Sequence, residues 1–345
     1  VLLSGSSTRG RRARYRAFPF PKANTLQALM NPIASLVLIR INGGTAMMRI
    51  LGIVGVQICI CVPIIVFQFC KGKEFFSKEY WGYALRIGIP IVPHYLSGII
   101  LNQGDRIMID KMVGKTEVAL YGLAYSIGML VQLFISGMNS ALTPWMYSKI
   151  KKGDIRSMRK VLQLLSVVVV GIAVALMLIS PELVLIFGSP KYREAVYVIP
   201  PVAASVFFIF IYNILSMPQF YYEKTQFLMA ASMAAAGANV VLNFIFIRLF
   251  GYIAAGYTTL ACYMLYSVGH YIVSKRILVN EGIQENLMSP GFLVACSVFL
   301  IGASIICNLI FPYRILRYAI LLASAGLVFW KKELLLKTMA DIRKK

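Results

Sequence analysis

Residues 83–112 read YALRIGIPIVPHYLSGIILNQGDRIMIDKM, and their middle decides the fold. Residues 87–104 carry no Asp, Glu, Lys or Arg, and a run of this length can cross a bilayer. Similar runs recur along the chain, which is 59% hydrophobic, 14% charged and has a mean hydropathy of +0.74. Soluble domains are about 25% charged. The runs are too continuous for barrel strands, so we predict an all-α polytopic membrane protein.

The apolar runs predict about ten transmembrane helices joined by short loops. They lie at 25–41, 50–70, 83–104, 118–142, 161–180, 195–217, 226–247, 252–274, 290–310 and 316–330. No extramembrane domain is expected, because no connecting loop is long enough to form one.

The net charge of +22 would suggest nucleic acid as a partner in a soluble protein. Ten spans place 25 of the 35 Lys and Arg residues on one side of the membrane, together with both termini. Membrane proteins keep such an excess on the cytoplasmic side. We therefore expect a multi-pass protein of a bacterial or archaeal cell membrane with both termini in the cytoplasm, and no nucleic-acid partner.

Few residues are suited to catalysis or to a resident cofactor. The six cysteines match no zinc spacing, so neither a metal site nor a disulfide is expected. The chain has two histidines, no Asp-x-Asp motif and no convergent set of Ser, His and Asp. General acid–base chemistry needs paired titratable groups, so we do not expect an enzyme. The N-terminus also shows no cleavable signal peptide.

Two prolines, Pro90 and Pro93, interrupt the span at 83–104. Proline removes a backbone hydrogen bond and kinks a helix. Transporters use broken helices at substrate sites, although proline also produces static kinks in membrane helices. Both interpretations stay open.

The same helix carries a polar side. At about 100° per residue, four polar residues fall within roughly 120° of one another. They are His94, Asn102, Asp105 and Arg106. Asp105 and Arg106 are adjacent and diverge, whereas Arg106 and Asp110 have the i, i+4 spacing of an ion pair. These charges either mark the end of a membrane helix or contact a transported substrate.

The other spans contain few polar residues. Glu182, at the end of a span, is interpreted as structural. Four asparagines lie within spans, where they either line a polar pathway or form interhelical hydrogen bonds. They are Asn139, Asn213, Asn239 and Asn243.

Residues 80–154 resemble the oligosaccharide flippases, or polysaccharide biosynthesis transporters, of the multidrug/oligosaccharidyl-lipid/polysaccharide exporter superfamily. The resemblance rests on Pro-His-Tyr-Leu-Ser at 93–97, Asp-Arg-Ile-Met-Ile at 105–109 and Pro-Trp at 144–145. The stretch SPELVLIFGSPKYREAVYVIP at 180–200 is similar to a second part of the family pattern.

The resemblance implies two six-helix lobes around a cavity, followed by two extra helices. On that template the chain divides into six parts. These are a basic, disordered N-terminal segment at 1–21, the last two helices of an incomplete first lobe at 22–70, a cytoplasmic linker at 71–82, a complete second lobe at 83–274, two C-terminal helices at 275–330 and a basic cytoplasmic tail at 331–345. On that template we expect the first four helices of the first lobe to be absent from this sequence.

The implied activity is movement of a polyprenyl-diphosphate-linked oligosaccharide to the outer leaflet by alternating access. The expected partners are this lipid, membrane lipids and other polysaccharide assembly proteins. Arg106 is the first candidate for the head group and Arg86 the second, because arginine suits phosphate oxygens.

On the same resemblance Asp105 orients Arg106 or carries a coupling proton or sodium ion, while His94 and Asn102 line the path. The alternatives are a cation-coupled multidrug exporter of the same superfamily, and a membrane enzyme or assembly subunit of a glycan pathway.

Overall fold

The structure is a computed structural model that describes residues 20–41, 46–72 and 76–330. Within these ranges the chain is almost entirely helical and contains no β-strand. The helices are α1 (Phe20–Ile41), α2 (Ala46–Gly72), α3 (Lys78–Met112), α4 (Lys115–Gly128), α5 (Leu130–Lys152), α6 (Ile155–Phe187), a 3-10 helix (Pro190–Val198), α7 (Ile199–Tyr221), α8 (Thr225–Phe250), α9 (Ala254–Asn280), α10 (Pro290–Ile310) and α11 (Arg314–Trp330). The all-α prediction is confirmed.

Seven helical segments of the described residues are long and apolar enough to cross a membrane. They are Met47–Phe67, Trp81–Met112, Lys115–Lys152, Ile155–Phe187, Pro190–Tyr221, Thr225–Phe250 and Pro290–Ile310. The predictions for α1, α9 and α11 are correct in being helical, but these helices fall outside the seven. The prediction of a multi-pass membrane protein is confirmed.

Two predicted parts of the chain lie largely outside the described residues. These are the basic segment at 1–21, of which only the last two residues are described, and the tail at 331–345. Their predicted disorder and cytoplasmic position remain predictions.

The chain divides into two compact units between Tyr83 and Ala84. In the first unit α1 packs against α2. A Cβ at Gly52 would lie 2.7 Å from the backbone of Ser35, so a larger residue would push the two helices apart. Ser35 Oγ donates a hydrogen bond to the carbonyl of Arg49 at 3.3 Å. Small residues at such contacts allow membrane helices to approach closely.

In the second unit α7 is the central helix. It packs against α9, α6 and α5, and nearly all its side chains are buried, including Phe207 and Phe210. A helix that is apolar on all sides is stable only when surrounded by protein or lipid.

Helix α3 continues past the predicted exit of its span at residue 104 and ends at Met112. It contains Pro90 and Pro93, and Ser97 Oγ donates to the carbonyl of Pro93 at 2.7 Å. Such a bond back to the preceding turn often bends a helix. The second half of α3 makes hydrogen bonds with α4, α8 and α9.

The two C-terminal helices pack against α6, and α10 also contacts α7. Arg317 of α11 is only 3% exposed and binds both carboxylate oxygens of Glu182 on α6 at 2.8 Å. Its guanidinium also donates to the carbonyl of Leu178 at 2.7 Å. Glu182 thus joins two helices, which agrees with the structural role expected for it.

Candidate functional site

A buried carboxylate lies at the centre of the polar contacts of α3. Asp105 is 0% exposed and accepts hydrogen bonds from three other helices. The donors are Asn243 Nδ2 of α8 at 2.6 Å, Thr259 Oγ1 of α9 at 2.6 Å and the hydroxyl of Tyr121 on α4. The carboxyl group therefore points into the second unit and not toward the membrane surface.

A second layer of polar groups surrounds this carboxylate. Asn243 Nδ2 also lies 3.2 Å from Asn239 Oδ1, one turn earlier on α8, and Asn243 Oδ1 accepts from Thr258. Asn239 and Asn243 are fully buried. Asn243 therefore forms interhelical hydrogen bonds, and both asparagines also border the acidic group.

No Lys or Arg pairs with Asp105 among the described contacts. An ionised carboxylate away from water is unfavourable by several kcal/mol unless a charge or good hydrogen bonds compensate. Three neutral donors supply part of that compensation, but no fixed counter-charge is present. A proton or a metal cation would supply the rest.

Asn102 and His94 extend the polar side of α3 toward its N-terminus. Asn102 Oδ1 accepts from Tyr125 of α4 at 2.7 Å and from Tyr263 of α9 at 3.3 Å. His94 Nδ1 lies 3.0 Å from the hydroxyl of Tyr266. Three of the four residues predicted on one side of α3 (His94, Asn102 and Asp105) therefore make hydrogen bonds with other helices of the same unit.

The partner side chains on α9 follow a helical repeat. Thr259, Tyr263, Tyr266 and His270 are spaced by four, three and four residues, and so lie on one face. Along α3 the order runs the other way, from Asp105 to His94, because the two helices are antiparallel. These four residues were not predicted as site residues, because their spacing places them on one face of a helix but does not indicate which helix that face contacts.

The cluster extends beyond α3 to a second histidine. His270 Nδ1 lies 2.8 Å from Gln219 Nε2 of α7, and both side chains are fully buried. Gln219 Oε1 and His270 Nε2 have no hydrogen-bond partner in the described part of the chain.

His94, Asn102 and Asp105 form a line of polar residues along α3, here called the polar line. Arg106 lies beside this polar line and not within it. Its Nη1 donates to Gln103 Oε1 at 2.7 Å, and its guanidinium carbon lies 5.2 Å from the centre of the Tyr125 ring. It makes no ion pair with Asp110 among the described contacts. The two adjacent charges therefore diverge as expected, and no hydrogen bond or ion pair joins Asp105 to Arg106 among the described contacts.

Arg86 is exposed and lies near the start of α3. Twenty residues separate it from Arg106, which is roughly 30 Å along a helix axis. The two arginines are therefore not brought together, and one head group cannot contact both at once.

Comparisons with known proteins agree on the class. Residues 15–150 match the family described as Polysaccharide biosynthesis protein, and residues 90–245 match the family described as MatE. Both families are of the transporter type. The matched ranges overlap at 90–150, which includes the polar side of α3.

Two curated relatives come from Haemophilus influenzae. Protein 1 of the Lsg locus is 28% identical over 172 residues, which cover 47% of this chain and 41% of the relative. An uncharacterized membrane protein is 29% identical over 167 residues, covering 45% of this chain and 40% of that protein. The chain thus spans about two fifths of the length of the curated relatives it matches. No solved structure matches.

The helical membrane fold is that of a multi-pass membrane protein, and parts of the chain are similar to two families of the transporter type. The match at residues 15–150 agrees with the resemblance to polysaccharide biosynthesis transporters that the sequence motifs show.

Proposed function

We propose that the protein is a flippase that moves a polyprenyl-diphosphate-linked oligosaccharide across the cell membrane by alternating access. The observation that carries this proposal is the polar line on α3, formed by His94, Asn102 and Asp105, which ends in a fully buried carboxylate without a cationic partner among the described contacts. Ionisable groups within a membrane are costly and mark transport pathways or their coupling sites. The match to a polysaccharide biosynthesis family supports the class of substrate.

In this proposal Asp105 binds the coupling cation, either a proton or sodium. A proton fits the hydrogen bonds as they stand, because all the contacts of Asp105 are donors to its carboxylate. Sodium would need the amide of Asn243 to turn its oxygen toward Asp105, since hard cations prefer carboxylate, amide and hydroxyl oxygens. They come from Asp105, Asn239, Asn243, Thr258 and Thr259, which belong to three helices. A cation bound there would hold α3 to α8 and α9.

Arg106 is the proposed contact for the diphosphate. Its guanidinium is only partly buried and has no carboxylate partner among the described residues. The ring of Tyr125 supports it by a cation–π contact. Arg86 is proposed to contact the same head group at another stage of movement, because about twenty helical residues separate the two sites.

Asn102 and His94 are proposed to complete the path-facing side of α3. Asn102 accepts a hydrogen bond from Tyr125, and the ring of Tyr125 contacts the guanidinium of Arg106. Tyr125 therefore connects Asn102 to the proposed head-group contact. We also propose that the protein lies in the cytoplasmic membrane with both termini in the cytoplasm. Other polysaccharide assembly proteins are proposed partners.

A cation-coupled multidrug exporter is the second candidate, and the MatE match at 90–245 is the observation that favours it. Such an exporter would use the same buried Asp105 but would not need Arg106. A membrane enzyme or assembly subunit of a glycan pathway is a third possibility. It predicts cleavage or formation of a sugar bond.

The test uses the protein as its gene encodes it, produced in a bacterium that lacks its own flippase and makes a compatible lipid-linked glycan. We expect Arg106→Ala to reduce surface polysaccharide at least tenfold and Arg106→Lys to retain part of it, because a cation is needed but arginine's planar fork binds phosphate better. Arg193→Ala is the matched control, since this exposed arginine of the 3-10 helix lies away from α3.

All variants must be compared at equal amounts in the membrane. Full activity of Arg106→Ala, or equal losses in Arg106→Ala and Arg193→Ala, would overturn the role of Arg106 as a head-group contact. Efflux of cationic drugs without surface polysaccharide would instead favour the exporter. Glycan synthesis that stops before the completed lipid-linked unit would favour the enzyme.

A further inference from the structure

The membrane-embedded part of α5 carries its polar side chains on one side only. Between Leu130 and Leu142 every residue is apolar or glycine except four, which are Gln132, Ser136, Asn139 and Ser140. At about 100° per residue, these four fall within roughly 100° of one another around the helix. They form a continuous surface, here called the α5 polar face.

The rest of α5 is apolar and is used in two ways. One side is buried, because α5 packs against α6 and α7, and it carries Val131, Ile135 and Leu142. A second side is exposed and suits contact with lipid, and it carries Leu130, Phe134 and Ala141. The α5 polar face lies on neither side, so its side chains need polar surroundings of their own.

The two amides of the α5 polar face lack hydrogen-bond partners for their oxygens. Gln132 Oε1 and Asn139 Oδ1 are buried, and neither accepts a hydrogen bond in the described part of the chain. An unpaired amide in apolar surroundings is unfavourable, whereas water or a ligand with hydroxyl groups supplies the missing donors. The amides therefore indicate a ligand that can donate hydrogen bonds.

The two serines offer further acceptors. Ser136 Oγ donates to the carbonyl of Leu133 at 2.8 Å, and Ser140 Oγ donates to the carbonyl of Ser136 at 3.0 Å. Both serines are exposed in the second unit. Because each hydroxyl hydrogen is used within the helix, each oxygen remains available to accept from a donor outside it.

The chemistry of the α5 polar face favours a carbohydrate. None of its four residues carries a charge, whereas a diphosphate is bound best by arginine and a cationic drug by a carboxylate. Neutral amide and hydroxyl groups pair with sugar hydroxyls, which both donate and accept. A surface of this kind distinguishes ligands that have hydroxyl groups from ligands that lack them.

The α5 polar face also begins close to the proposed head-group contact. A Cβ at Gly122 of α4 would lie 3.9 Å from Nε of Arg106. Helix α4 ends at Gly128 and α5 begins at Leu130. Ten residues separate Gly122 from Gln132, which is about 15 Å of helix. A glycan that follows a diphosphate at Arg106 therefore has the α5 polar face within reach.

We propose that the α5 polar face binds the sugar part of the transported lipid. The identity of that lipid rests on the proposed function. The polyprenyl chain is not the occupant, because an apolar chain would leave the amides of Gln132 and Asn139 unpaired.

Cysteine labelling tests whether the α5 polar face is open to water and sugar. The full chain as its gene encodes it is placed in lipid nanodiscs, and a negatively charged, membrane-impermeant methanethiosulfonate reagent is added. Ser140→Cys reports the polar face, and Ala141→Cys is the matched control, since Ala141 is exposed at the same depth on the apolar side. Mass spectrometry of peptides separates these thiols from the native cysteines.

We expect Ser140→Cys to react at least about tenfold faster than Ala141→Cys, because the reacting thiolate is disfavoured in lipid. A lipid-linked oligosaccharide purified from the export strain should slow this reaction about threefold or more, as expected when most of the protein is occupied. Polyprenyl diphosphate without sugar should not slow it. Ser136→Cys replaces Ser140→Cys if the latter fails to fold.

A second variant connects the labelling to transport. Asn139→Leu should lower export of surface polysaccharide about five- to tenfold at equal amounts in the membrane, the effect of losing hydrogen bonds to the sugar. Asn139→Gln should retain part of the export. Combined with Ser140→Cys, Asn139→Leu should leave the labelling rate unchanged and weaken the protection by the glycan. A merely structural role of Asn139 would change the rate without lipid.

Equal labelling of Ser140→Cys and Ala141→Cys would overturn the proposal, because lipid or another helix would then cover the α5 polar face. Equal protection by the lipid with and without sugar would overturn the sugar assignment and leave the proposed function standing. Protection by the glycan in a protein that exports no polysaccharide would contradict the proposed function and leave the sugar site standing.

Discussion

Two carboxylates in the second unit, the partly buried Glu182 and the fully buried Asp105, have opposite surroundings. Glu182 of α6 is paired with Arg317 of α11 through two hydrogen bonds of 2.8 Å. Asp105 of α3 has three neutral donors and no cation among the described contacts. A carboxylate with a permanent arginine partner forms a structural ion pair. One without such a partner can take up and release a cation, and this difference separates a structural site from a candidate coupling site.

The largest expected effect concerns transport. We expect Asp105→Asn to reduce polysaccharide export about a hundredfold or more, because the amide keeps the shape but cannot take up a proton or cation; this corresponds to about 2.7 kcal/mol. Export of surface polysaccharide and the midpoint of thermal unfolding in detergent are both measured. Nearly unchanged export would remove the distinction between the two carboxylates.

Loss of the ion pair between Glu182 and Arg317 should reduce stability and leave export nearly unchanged. Arg317→Ala leaves Glu182 without its charged partner, and we expect it to lower the free energy of unfolding by about 2–4 kcal/mol. Thermal unfolding of the purified protein measures this loss. Export per folded molecule should stay within about twofold of the wild type, because Arg317 lies outside the polar line of α3.

Exchanging the two charges sharpens this result. The double variant Glu182→Arg with Arg317→Glu should recover part of the stability that either single change loses, since the pair is re-formed in reverse. A double variant less stable than both single variants would show that the carbonyl of Leu178, which Arg317 also binds at 2.7 Å, matters more than the ion pair.

A smaller effect is expected at one partner of Asp105. Thr259→Val removes the hydroxyl that donates to the carboxylate at 2.6 Å but keeps the volume of the side chain. We expect the proton concentration needed for half-maximal export to fall about five- to tenfold, because the lost hydrogen bond favoured the ionised carboxylate. A rise in the sodium concentration needed would instead indicate that Thr259 Oγ1 is a ligand of a bound sodium ion. Thr143→Val is the matched control, because its hydroxyl binds only a carbonyl of its own helix.

Several features could be predicted from the sequence because they depend on local chemistry. The helical membrane class follows from the length of the apolar runs, and the common side of His94, Asn102 and Asp105 follows from the helix repeat. Whether that side faces the membrane interface or the protein interior could not be predicted. A charge near the end of an apolar run fits an interface equally well, whereas Asp105 is fully buried.

The partners of these residues were also beyond sequence reasoning. Thr259 is 154 residues from Asp105, and Arg317 is 135 residues from Glu182. A single sequence carries no signal that connects such distant positions. Arg106 and Asp110 show the converse error, because they have the spacing of an ion pair but Arg106 binds Gln103 instead.

The sequence by itself determined the all-helical membrane class, the positions of the apolar runs and the resemblance to flippases, since each depends on neighbouring residues alone. Only the tertiary structure decided which carboxylate has a cation and which has none. That difference arises from packing: α11 brings an arginine to Glu182, whereas α4, α8 and α9 bring only neutral donors to Asp105.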